Sequence, residues 1–144
     1  MKPSPKSGAG SSGAEDEAEA APIAWTTFRS WAEVGEWYRK LSLDRVVVTP
    51  ALKARADELV AGATTERAKM EALYDFVSSR VRYVGVSFGI GRYQPHAAAE
   101  VLANQYGDCK DKHTLLAALL KAEGIPSSAV LIGVGILFDR NVPM

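Results

Sequence analysis

Cys109 is the only cysteine of the chain, and it stands in the charged run Gly107-Asp108-Cys109-Lys110-Asp111-Lys112. The thiolate is the reactive form of cysteine, and a helix N-terminus stabilises its negative charge through free amide hydrogens and the helix dipole. The apolar spacing that begins just after Cys109 predicts a helix over residues 108–122, which sets the thiol at such an N-terminus. The competing reading is a buried structural cysteine, because free cysteine is among the most buried residue types. Asp108, Lys110, Asp111 and Lys112 make a poor setting for a buried apolar thiol and favour an accessible one.

His113 follows four residues after Cys109, on nearly the same helical face, where it could pair with the thiol or join a metal site. One His, one Cys and two Asp are too small a set for zinc, so no metal is expected and no cofactor is called for. His96 sits in a Pro-His step before a short helix, where a capping or loop role is favoured over that of a base. A base must come within hydrogen-bond reach of its nucleophile.

The elements that must position Cys109 can be read from caps and periodicity. Ser30 and Glu33 form a capping box, and Trp31, Val34, Trp37, Tyr38 and Leu41 recur at helical spacing behind it. The Trp pair fits core or groove packing. Thr49 and Pro50 open a second helix, with Leu52, Ala56, Leu59 and Val60 as its buried face and Gly62 as its stop. Thr64 or Thr65 caps a third, with the stripe Met70, Leu73, Phe76 and Val77. Residues 81–86 read as a strand, 87–95 as a loop and 97–103 as a short helix. In the helix after Cys109, Leu115, Leu116, Leu119 and Leu120 mark it as the centre of the core, closed by Gly124 and Pro126. Residues 128–138 read as a strand buried on both faces.

Composition narrows the function. Lys plus Arg equals Asp plus Glu, at 17 each in 144 residues, so nothing points to nucleic acid or an anionic membrane. A single cysteine excludes an internal disulfide and a Cys-x-x-Cys redox pair. No apolar run approaches the roughly 20 residues of a membrane span. Residues 1–22 carry Pro, Ser, Gly, Ala and an acidic patch, and are expected to form a disordered tail ahead of a partial domain over 23–144.

Three stretches together resemble the transglutaminase-like superfamily. They are Val81-Arg82-Tyr83-Val84-Gly85, then Tyr93-Gln94-Pro95-His96, then Tyr106-Gly107-Asp108-Cys109-Lys110-Asp111-Lys112 leading on to Gly124-Ile125-Pro126. The chain is most similar to bacterial domains of that superfamily that follow a DUF3857 domain. The resemblance implies an α+β, papain-like core in which the cysteine helix packs on an antiparallel sheet, incomplete here. It makes Cys109 the nucleophile and Tyr83 a groove aromatic that assists the oxyanion; Asp108, Asp111 and His113 are read as supporting residues from their place beside Cys109. It also implies a His and an Asp on later strands. Yet no histidine follows His113, and Arg140 stands where Phe138-Asp139 would lead to one. A guanidinium stays protonated and cannot act as base. The chain is therefore expected to stop before its triad is complete.

The function expected is acyl-thioester chemistry on an amide or peptide bond in a longer parent, with hydrolysis favoured over transfer and the isolated chain inactive. The alternative is a non-catalytic module that keeps the fold to bind a protein. Self-association through an exposed strand edge is a further expectation. Nothing in the chain sets a compartment; the family context suggests a parent exported to, or resident in, the bacterial envelope.

Overall fold

The computed structural model describes residues 26–85 and 89–131. Five helices and two short strands follow in the order α1 (Trp31–Ser42), α2 (Pro50–Val60), α3 (Glu66–Arg80), β1 (Arg82–Tyr83), α4 (Ala98–Asn104), β2 (Tyr106–Gly107) and α5 (Cys109–Ala122). A single 3-10 turn, Gly89–Arg92, lies between β1 and α4.

Each long helix begins at a residue whose side chain replaces the missing hydrogen-bond partner of the first turn. Ser30 Oγ accepts the Glu33 amide at 3.2 Å. The return bond of that box goes one residue further out, from the Arg29 amide to Glu33 Oε2 at 2.7 Å. Thr49 and Thr65 cap α2 and α3 through the amides of Leu52 and Ala68. Pro50 takes the first helical position, where it has no bond to lose. At its far end α5 turns off through Gly124, whose φ of +74° suits glycine, and the Ile125 amide reaches back to the Leu120 carbonyl at 2.9 Å.

The core lies among α2, α3, α4 and α5, and α5 is in contact with each of the other three. Leu52, Leu73, Leu115 and Leu119 are fully buried in it, with Phe76, Val77, Val81, Ala98 and Val101 around them. Met70 departs from the stripe expected of α3. It is 42% exposed and shares a shallow groove with Tyr74, Leu116 and Leu120. The α5 side chains therefore divide: Leu115 and Leu119 point into the helical core, while Leu116 and Leu120 form a second apolar face beside it. In α1 only Tyr38 is buried; Trp37 packs on Phe28 and, edge-on, on Tyr93 at 5.4 Å between ring centres.

The sheet corrects the expectation of antiparallel strands. β1 and β2 pair in parallel, Arg82 opposite Tyr106 and Tyr83 opposite Gly107. The reason is topological: α4 lies in the connection between them, and a helical crossover returns the chain in the same direction. The strand expected over 128–138 is not seen in its first four residues, 128–131, and the remainder lies outside the described residues. The papain-like core expected from the resemblance rests on that segment. The tail expected over 1–22 also lies outside the described residues.

Three lysines fasten the helices at their ends. Lys112 Nζ on α5 donates to the carbonyls of Ser78 (3.1 Å) and Val81 (2.9 Å), holding the exit of α3 against the start of α5. At the other end the buried Glu123 carboxylate receives Lys53 at 3.2 Å and Lys69 at 2.9 Å, joining α2 and α3 to the close of α5. Leu119→Ala is expected to destabilise the chain by about 2–5 kcal/mol, the range for a fully buried leucine that leaves a cavity, as read by urea denaturation.

Candidate functional site

α5 opens at Cys109 because Asp108 ends the preceding extended segment and caps the helix. Asp108 Oδ1 accepts the amides of Lys110 (3.1 Å) and Asp111 (3.3 Å). Asp111 completes a capping box by accepting the Asp108 amide on Oδ2 at 3.1 Å. Both carboxylates are buried, and Lys110 Nζ pairs with Asp108 Oδ2 in a contact shielded from water. Cys109 itself is exposed and reduced. A cysteine that stays in solvent while the residues on both sides turn inward is not a core residue, and the buried-cysteine reading falls.

Asp111 has a further partner that sequence reasoning did not supply. His96, at the entrance to α4, donates its backbone amide to Asp111 Oδ1 at 2.8 Å and places Nδ1 at 3.1 Å from Oδ2. Burial alone would push the Asp111 carboxyl up. The amides of His96 and Asp108 and the His96 ring outweigh it and hold the carboxyl below the usual Asp value.

Gly107 makes this arrangement possible. A Cβ on Gly107 would lie 2.5 Å from Asp111 Cβ and 3.0 Å from Oδ2, so only a residue without a side chain lets the loop pass under the carboxylate.

The remaining residues singled out in the sequence fall at different distances from this centre. Tyr83 is on β1, opposite Gly107 and beside the loop that carries Cys109, with its ring 63% exposed. His113 stands one turn into α5 on the flank of a groove of about 550 Å³ lined also by Tyr38, Thr114, Ala117, Val46 and Ile125. Its burial pushes the imidazole below the ordinary His value, so it is neutral at neutral pH. His96 and Asp111 meet, whereas His113 lines the groove on the side of α1.

Tyr38 is a residue that the periodicity of α1 assigned only to packing. Burial pushes its phenol above the usual value, and the negative charges of Cys109, Asp108 and Asp111 add to the effect. Tyr38 is thus a protonated donor within electrostatic reach of the thiol, across 71 residues of sequence that give no local signal of it. Among the described residues no group of three or more His, Cys, Asp or Glu could hold a metal ion. No helix among them is long and apolar enough to cross a membrane.

Two outcomes follow from the buried carboxylate. Gly107→Ala is expected to cost roughly 1–3 kcal/mol in urea denaturation, because neither the loop nor Asp111 has room to give way. Asp111→Asn tests the charge. A folded-state pKa below the unfolded value, about 3.9 for Asp, gives stability that is complete above that value and is lost as pH falls through the folded one. The wild type is therefore expected to exceed D111N in unfolding free energy by its full margin from pH 5 to 7. That margin should shrink on acidification below about pH 4 in a denaturation series.

Residues 53–134, more than half of the chain and spanning α2 to the end of α5 with Cys109 inside, match the sequence profile of the transglutaminase-like superfamily. No curated protein and no solved structure matches the chain. A profile match of that extent over the helices that build the core, with an exposed cysteine opening the central one, identifies the chain as a member of the transglutaminase-like superfamily.

Proposed function

We propose that Cys109 is the nucleophile of acyl-thioester chemistry on an amide or peptide bond. The observation that carries this reading is an exposed thiol on the first residue of α5, above a first turn whose carboxylates are already buried and bonded. The dipole of α5 favours negative charge on the sulfur at its N-terminus.

In the reaction, the thiolate adds to the carbonyl carbon, the carbon–nitrogen bond breaks, and the amine leaves with a proton from a general acid. The resulting thioester is released by water as a carboxylic acid or taken by a second amine. Hydrolysis is the favoured branch, since water reaches any exposed thiol. Tyr83, beside the cysteine loop, serves the developing oxyanion, and Tyr38 adds a neutral donor.

The reading requires a histidine base within hydrogen-bond reach of the sulfur. His113 would have to fold back along its own helix to reach the sulfur, and the contact that His96 makes through Nδ1 is to Asp111.

The test is the rate of Cys109 alkylation by iodoacetamide at neutral pH. The folded chain is expected to react at least about tenfold faster than the urea-unfolded chain, as an activated thiol does. A folded rate equal to or below the unfolded one would overturn the reading. In that case the fold serves to bind a protein without catalysis.

A further inference from the structure

We infer that His96 is a positioning residue for Cys109, acting by a hydrogen bond through Asp111. The inference rests on the reading of Cys109 as nucleophile and adds to it a residue that does not touch the reacting atoms.

The geometry is a chain of contacts. His96 grips Asp111 twice, through its backbone amide on Oδ1 and its ring on Oδ2. Asp111 Oδ2 also receives the Asp108 amide, that of the residue before the cysteine. The direction of the ring bond follows from its partner. An ionised carboxylate only accepts, so Nδ1 carries the proton and donates. The three donors come from two elements, the entrance of α4 and the start of α5, so the carboxylate fixes the turn before Cys109 relative to the rest of the core.

Asp108 alone would not achieve this. Its own carboxylate bonds only within the first turn, to Lys110 and Asp111, and ties α5 to nothing else. His96 ties that turn to the entrance of α4. Without its ring donor Asp111 keeps two backbone amides, but one side of Oδ2 is left open to water. The His96 side chain is 66% exposed, so removing it leaves no cavity in the core, and a loss of reactivity is separable from a loss of fold.

The experiment uses His96→Ala and His96→Asn in the whole chain. Asparagine places an N–H donor close to where Nδ1 lies and carries no ring and no charge. Two quantities are read: the Cys109 alkylation rate with iodoacetamide at neutral pH, and the Asp111 carboxyl titration by NMR. In H96A the alkylation rate is expected to fall at least about fivefold and the Asp111 titration to move up toward the ordinary Asp value, with the melting temperature nearly unchanged. In H96N both are expected to return most of the way to wild type.

An H96A rate equal to wild type would overturn the proposal. So would an H96N rate as low as that of H96A, because the donor would then not be what matters. A wild-type rate no higher than that of the unfolded chain is a different failure: it removes the nucleophile reading, and the positioning role with it.

Discussion

One carboxylate organises the start of α5. Asp111 accepts N–H donors from His96 and Asp108, and its Cβ lies so close to Gly107 that no side chain fits there. A buried carboxylate is costly unless its oxygens are bonded, and here backbone amides do most of that bonding. Meeting those donors requires α4, β2 and α5 to converge at one point. The extended β2, the left-handed Gln105 that ends α4 and the turn at Gly107 all serve that convergence. The exposure of Cys109 follows from it, since with Asp108 and Asp111 directed inward and Lys110 folded onto Asp108, Cys109 is left facing solvent.

The helices were legible because their signals are local. Ser30, Thr49 and Thr65 each bond an amide three residues on, and the buried faces of α2 and of α5 repeat at helical spacing. The position of Cys109 at a helix start was legible for the same reason. A residue's neighbours within one turn are fixed by the geometry of the helix itself, and a sequence can report them directly.

What the sequence did not convey depends on contacts between distant segments. His96 and Asp111 are 15 residues apart, with a helix and a strand between them, and nothing in Pro95-His96 announces a partner. The charges of Cys109, Asp108 and Asp111 act on Tyr38 from a helix distant in sequence. The Asp-x-x-Asp spacing of Asp108 and Asp111 did carry a usable signal, as a capping box, and would have turned attention from their charge to their burial. The parallel pairing of β1 with β2 was hidden because strands of two residues have too little pattern to show their direction. Met70 was misassigned because α3 presents apolar residues to two faces, and periodicity does not say which face the rest of the core covers.

The parallel pair also has a consequence for how the chain can vary. β1 and β2 close the base of the excursion between Tyr83 and Tyr106, and the Arg82 and Val84 amides bond across that base to Gln105 and Gly107. Within it, the chain is tied to Asp111 from His96 onward. Lengthening a closed loop adds little entropy, about 0.6 kcal/mol for each doubling. Insertions ahead of Pro95 therefore come at small cost to stability, while the interval from His96 to Asp111 is held to its length.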